Sequence, residues 1–163
     1  MSETVEQLDQ LLIEVAELGD FAELVRAADE QPLWWLTEEE GRSVFAEWDE
    51  SLQRMMFSTE IGIVPDKNRT TALKQALYYN LVWQRTGGAR MALIPEDNSL
   101  QLMVDLYAED LSSTQVVTVA TNLLQAAKDW RDSWDEPAHE KNAEPTTASG
   151  PKDDLPPPGS IQV

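Results

Sequence analysis

Apolar and polar positions recur with two different periods along the chain, and these periods divide it into helices and strands. Residues 3–18 carry apolar side chains at helical spacing, which predicts an amphipathic first helix that ends near Gly19. Residues 69–85 and 114–134 show the same period and predict a central and a final helix. Residues 20–30 are also helix-prone, so we expect a second short helix or a long turn there.

Alternating positions predict about five strands between and after these helices. Residues 33–36, 43–48 and 52–64 are separated by short polar turns, which is typical of a three-strand meander. Two further runs flank the turn at residues 95–98 and predict a hairpin. The order α–βββ–α–ββ–α predicts an α+β fold with an antiparallel sheet.

The composition changes after residue 135, where prolines punctuate a polar stretch with few aliphatic side chains. Such a stretch cannot bury enough apolar surface to fold. We therefore expect one domain over residues 1–134 and a disordered, acidic, proline-rich tail over residues 135–163.

The balance of charge excludes several classes of partner. The chain has 12 basic and 30 acidic residues, which gives a net charge of −18 at pH 7. Nucleic acids and anionic membranes are bound through basic patches, and the sequence offers none. No apolar signal core and no run of ~20 apolar residues is present, so we expect a cytoplasmic protein without membrane insertion.

Few residues are candidates for catalysis or for binding a metal or cofactor. The absence of cysteine excludes thiol chemistry and zinc–thiolate sites. The single histidine, His139, lies in the predicted tail, where no packing would hold a catalytic base in place. Acidic pairs at residues 38–40, 49–50 and 109–110 keep carboxylate catalysis open as a minor hypothesis, although all lie in predicted turns. We predict no cofactor.

Aromatic residues carry more information, because six tryptophans is a high number for this length. Trp34 and Trp35 are neighbours on a predicted strand and must point to opposite faces of the sheet. One can enter the core, and the other needs a cover such as a helix, a dimer partner or a bound protein. The apolar stripe of the first helix has the same two interpretations, core or binding surface.

One passage resembles a known protein family. Residues 76–89 read ALYYNLVWQRTGGA, with Asn80, Leu81 and the pair Gly87-Gly88 at the spacing L-x-x-N-L-x-x-x-x-x-G-G-A. This passage, together with the acidic charge and the order of predicted elements, resembles the type III secretion chaperones of the CesT/Tir-chaperone family. The longer link at residues 20–30 and the proline-rich tail resemble the multi-effector chaperones called the HpaB type.

The resemblance implies a non-enzymatic homodimer that binds the N-terminal region of secreted effector proteins, keeps them secretion-competent and needs no ATP. It leaves open whether the protein docks on a secretion ATPase. By analogy, the dimer interface would include Leu77, Leu81, Val82 and Trp83. The effector would contact apolar residues of the first helix and first strands: Leu8, Leu11, Leu12, Val15, Trp34, Trp35, Phe45 and Met56. An adaptor of the same fold that sequesters a regulator of the secretion system is the alternative.

Overall fold

A computed structural model describes residues 3–27 and 32–135 of the chain. It contains three α-helices, α1 (Glu3–Leu18), α2 (Arg69–Leu81) and α3 (Ser113–Asp135). The strands are β1 (Glu23–Arg26), β2 (Leu33–Thr37), β3 (Ser43–Asp49), β4 (Arg54–Ile63), β5 (Arg90–Leu93) and β6 (Ser99–Tyr107). The element order of the predicted α+β fold is confirmed, with one strand more than expected.

All six strands form one antiparallel sheet in the order β1-β2-β3-β4-β6-β5. Strand β6 therefore lies between β4 and β5, and β1 and β5 are the edge strands among the residues that the structure describes. Side chains alternate between the two faces of a strand, and buried and half-buried positions alternate in β2 and β3 accordingly.

Helices α1 and α3 pack against each other and cover one face of this sheet. We call it the packed face; it carries alternate strand residues such as Leu36, Phe57 and Leu102, all fully buried. The apolar stripe predicted for the final helix lies in the core, where Trp130 meets Tyr79 of α2 edge to face with ring centroids 5.8 Å apart. These contacts join the three helices and the sheet in a single core.

Strand β1 corrects the expectation of a helix or long turn at residues 20–30. Local sequence favours a helix only weakly there, whereas the free edge of β2 offers a row of main-chain partners. Val25 pairs with Trp35, and Arg26 pairs with Trp34. Pairing with a strand that is already fixed in the sheet therefore overrides the local preference.

The central helix also differs from its predicted bounds. It ends at Leu81, and a separate 3-10 turn spans Trp83–Arg85 before Gly87, which adopts a positive φ of 63°. Asn68 precedes the helix but makes no side-chain cap. Its amide donates instead to the carbonyl of Trp134, 2.6 Å away, and so links the start of α2 to the end of α3.

None of the helices within residues 3–27 and 32–135 is both long and apolar enough to cross a membrane. The predicted tail lies outside the described residues from position 136 onward, and so does His139.

Candidate protein-binding surfaces

The sheet has a second face, turned away from α1 and α3, which we call the outer face. A row of paired residues crosses all six strands there: Val25, Trp35, Phe45, Ser58, Met103 and Arg90. Most of these side chains are half-buried or exposed, because no described helix covers them. An open sheet face with this many large apolar groups is typical of a surface that binds another protein.

Two aromatic rings form the centre of the apolar part of the outer face. Trp35 and Phe45 are directly opposite each other on β2 and β3, with ring centroids 6.0 Å apart and planes at 69°. Met56 of β4 pairs with Glu47 on the neighbouring row. Trp35, Phe45 and Met56 were all predicted to contact a partner, and the structure places them on one face.

Charged residues occupy the part of the outer face beside the aromatic pair. Asp105 of β6 accepts hydrogen bonds from Arg54 at 2.8 Å and from both terminal nitrogens of Arg90 at 2.8 and 3.1 Å. The second of those Arg90 nitrogens also lies 3.7 Å from the sulfur of Met56. A single carboxylate thus holds two guanidinium groups in fixed positions next to the apolar patch.

A cleft of about 350 Å³ lies at the end of this face, beside the β3–β4 turn. It is lined by Pro32, Glu47, Trp48, Asp49, Glu50, Arg54 and Met56. The charged residues Arg54, Arg90 and Asp105 are not among the residues predicted from the sequence. Their positions in alternating strands were visible in the sequence, but the pairing of β4 with β6 was not.

The first helix corrects part of the predicted binding surface. Leu8, Leu12 and Val15 are buried in the core, and Leu11 is half-buried against it. Trp34 is likewise only 1% exposed. These side chains face the packed side of the sheet because α1 packs on α3 and buries its apolar stripe there. They are therefore core residues, not lining residues of an open groove.

A polar cluster fixes Trp34 in this position. The indole nitrogen of Trp34 donates to one oxygen of Asp9 at 2.7 Å, and Arg26 donates to the other oxygen at 2.8 Å. The guanidinium of Arg26 also lies 5.8 Å from the centroid of the Trp34 ring. The cluster links α1, the edge strand β1 and β2.

Helix α2 carries the second apolar surface. Leu77 and Leu81 lie one helical turn apart and are 71% and 74% exposed, and Tyr78 and Trp83 are about half exposed beside them. Val82 is half-buried at the end of the helix. Large apolar groups at such exposure are unusual for an isolated domain. The residues predicted to form a dimer interface thus lie on one exposed stretch, which we call the α2 surface.

None of the acidic residues at positions 38–40, 49–50 and 109–110 is buried, as a carboxylate pair with a raised pKa would be. Glu39, Glu40, Glu50, Glu109 and Asp110 are all exposed. The pKa of Asp49 is lowered, chiefly by a hydrogen bond from Ser51, whereas a general acid at neutral pH needs a raised pKa. Within residues 3–27 and 32–135, no three acidic or histidine side chains are grouped so that they could hold a metal ion.

Comparison with known structures supports the fold. A chain of the ExsC–ExsE complex superposes with a TM-score of 0.69 at 18% identity, and the match covers 82% of this chain and 97% of that one. A chain of the HopA1–SchA chaperone–effector complex gives a TM-score of 0.64 at 16% identity, with 81% and 98% covered.

A third match is to the complex of the Yersinia pestis type III secretion chaperone SycH with a stable fragment of YscM2. Its TM-score is 0.57 at 24% identity, and it covers 72% of this chain and 94% of that one. At these identities the matches establish the shared fold. A search of curated protein sequences finds no match.

The sequence itself gives a more direct assignment. A family model described as "Tir chaperone protein (CesT) family" matches residues 10–131, which is most of the chain. This confirms the resemblance inferred from residues 76–89 and from the order of elements. The chain therefore belongs to the Tir chaperone protein (CesT) family, whose fold it shares with chaperones of type III secretion.

Proposed function

We propose that this protein is a cytoplasmic type III secretion chaperone that binds the N-terminal region of secreted effector proteins and keeps them soluble and secretion-competent. It performs no catalysis and needs no cofactor. The observation that carries the proposal is the uncovered outer face, because a member of this family presents there a connected set of apolar side chains that its own helices leave open.

The chemistry of the outer face fits an extended polypeptide. Trp35, Phe45, Met56 and Met103 supply apolar contacts, and tryptophan is enriched among residues that dominate binding energy. Thioether side chains adapt to differently shaped partners because they are flexible and polarisable. Arg54 and Arg90, held by Asp105, add fixed donors next to this patch. An effector segment with alternating apolar and polar or acidic residues matches this arrangement.

The α2 surface supports a homodimer. Leu77 and Leu81 expose most of their side chains to solvent, and a second copy of the same surface would cover them by two-fold symmetry. Val82 and Trp83 extend the surface at the end of the helix. We therefore assign Leu77, Leu81, Val82 and Trp83 to the dimer interface.

A pull-down from the native bacterium, analysed by native mass spectrometry, tests this function. Tagged protein is expected to emerge as a dimer that carries a secreted protein, and the Phe45→Ala variant is expected to lose most of that protein. Leu52→Ala is the matched control, because Leu52 is an exposed apolar residue in the β3–β4 turn that belongs neither to the outer-face row nor to the lining of the neighbouring cleft.

The possible outcomes separate the proposal from its alternative. A monomer without any bound protein, or equal capture by Phe45→Ala and the parent chain, would overturn the proposal. A captured protein that remains inside the cell and controls secretion would instead support an adaptor that sequesters a regulator.

A further inference from the structure

Strand β5 lies at an edge of the sheet, and within residues 3–27 and 32–135 it pairs with one strand, β6. The main chain of Ile94 donates to the carbonyl of Ser99 at 2.8 Å, which marks these two residues as a hydrogen-bonded pair. Such pairs occur at every second residue of an antiparallel ladder. Arg90 and Ala92 therefore direct their main-chain groups toward β6, and Met91 and Leu93 direct theirs toward the free side.

The free side of Met91 is occupied by one side chain of α2. The Oδ1 atom of Asn80 accepts a hydrogen bond from the Met91 N–H at 2.7 Å. The Nδ2 atom of the same amide donates to the Met91 carbonyl at 3.0 Å. A neighbouring strand would make this same pair of contacts, one to the donor and one to the acceptor of a single residue.

Asparagine is suited to this task because its amide carries both a donor and an acceptor. Aspartate in the ionised form could accept from the N–H but could not donate to the carbonyl, and leucine could do neither. Asparagine is also a poorer helix former than leucine, so α2 bears a small local cost at this position. The contact with β5 offsets that cost.

Closing the β5 edge matters because exposed apolar residues lie next to Asn80 on helix α2. An exposed strand edge is a template for pairing with another chain. The α2 surface attracts a second copy of the protein through Leu77 and Leu81, three residues before and one residue after Asn80. If the β5 edge were open, two copies brought together by the α2 surface could also pair their sheets edge to edge. Two different contacts on each copy would then allow assemblies larger than a dimer.

We propose that Asn80 takes the place of a seventh strand and closes the β5 edge against strand pairing with a second copy of this chain. Self-association by strand pairing at the β5 edge is thereby blocked. This role concerns the sheet edge and does not depend on which protein the outer face binds.

Amide hydrogen exchange on the full-length chain tests, without any substitution, whether Asn80 occupies the free side of β5. Met91 and Leu93 both face the free side of β5, but the described residues offer only Met91 a side-chain partner. The Met91 amide is expected to exchange at least about tenfold more slowly than the Leu93 amide, because its N–H is hydrogen-bonded. Equal exchange of the two amides would overturn the proposal.

Substitution of Asn80 tests whether this contact prevents strand pairing with a second copy of the chain. Asn80→Leu is expected to form species larger than a dimer that bind thioflavin T, increasingly so with concentration. Gln75→Leu is the matched control, since Gln75 is an exposed amide on the same helix and its replacement adds the same apolar side chain. Equal behaviour of the two variants at high concentration would overturn the proposal.

Asn80→Asp covers the case in which Asn80→Leu does not fold. It retains the size of the side chain and one of the two hydrogen bonds, so the Met91 amide should stay protected while its carbonyl is released. The proposal requires larger assemblies of this variant than of the parent chain, in proportions that fall on dilution. A strictly dimeric Asn80→Asp would contradict it.

Discussion

The two faces of the sheet are built from the same strands and differ in what covers them. On the packed face, Trp34 and Leu36 are at most 1% exposed because α1 and α3 lie over them. On the outer face, Trp35 and Phe45 stay half-buried, and their rings meet edge to face. Adjacent tryptophans of one strand thus belong to different environments, and residue type alone does not reveal which of them a partner can reach.

Polar groups also differ between the two faces in what they bind. On the packed side, Asp9 is committed to Trp34 and Arg26 and so fixes the fold. On the outer side, the Arg54–Asp105–Arg90 group is partly exposed, so solvent screens part of its attraction. The packed face should therefore determine the free energy of unfolding, and the outer face should determine the affinity for a partner.

The largest effect is expected from the first helix. Leu12→Ala removes a fully buried side chain and should lower the free energy of unfolding by about 2–5 kcal/mol, measured by urea denaturation at fixed protein concentration. Leu52→Ala, in an exposed turn, should change it by no more than about 0.5 kcal/mol. Unchanged stability of Leu12→Ala with loss of partner binding would return α1 to the binding surface.

The free energy of unfolding should also fall at alkaline pH, because Tyr79 is buried on the packed side. Burial raises the pKa of Tyr79 from 10.0 to about 12, against a smaller opposing effect of a hydrogen bond with Thr86. Between these values the unfolded chain has lost a proton that the folded chain retains. Stability that is complete below pH 10 should therefore decline as the pH rises to about 12.

The contribution of Tyr79 to that decline is about 2–3 kcal/mol, at about 1.4 kcal/mol for each pH unit. Tyr79→Phe keeps the ring against Trp130 and lacks the titrating group, so its stability should fall less steeply over the same range. Denaturation of both proteins in buffers from pH 9 to pH 12 measures the difference. Parallel curves would show that the phenol ionises equally well in the folded state.

A smaller effect is expected from the polar cluster. Asp9→Ala leaves the buried indole N–H of Trp34 without its acceptor, which should reduce stability by about 1–3 kcal/mol. Asp9→Asn retains an acceptor oxygen and should reduce it less. Thermal unfolding of the two variants measures the difference, and an equal loss in both would show that the charge, not the acceptor, is what matters.

The smallest effect on stability is expected from the outer face. Phe45→Ala removes an edge-to-face ring contact at a half-exposed position and should lower the free energy of unfolding by about 1 kcal/mol. Its effect on partner binding should be larger, at least about tenfold in the dissociation constant. A variant as unstable as Leu12→Ala would show that the two faces do not divide stability and binding between them.

Much of the fold was predictable because the periodic signals agree with the tertiary contacts. The apolar stripe of residues 114–134 gave the helix that covers the packed face, and the turn at residues 95–98 gave the β5–β6 hairpin. Strand β1 was missed because it depends on the edge of β2, which is not visible in residues 20–30. The domain boundary at residue 134 remains a prediction.

The candidate binding residues are divided between the two faces of the sheet. Trp35, Phe45 and Met56 lie together on the outer face, where their contact with a partner remains a prediction, whereas Leu8, Leu12, Val15 and Trp34 are core residues. An apolar helical stripe has the same sequence pattern whether it packs on its own domain or on another protein. The location of α3 decides between the two, and α3 is about a hundred residues away in the chain.

The sequence by itself determined the family, the order of elements and the opposition of Trp34 and Trp35, because these follow from local spacing and from the motif at residues 76–89. Only the tertiary structure decided which sheet face is covered, which strands form its edges, and that Asn80 binds both main-chain groups of Met91. The physical reason is that burial and strand pairing join residues distant in the chain, and local periodicity carries no information about such pairs.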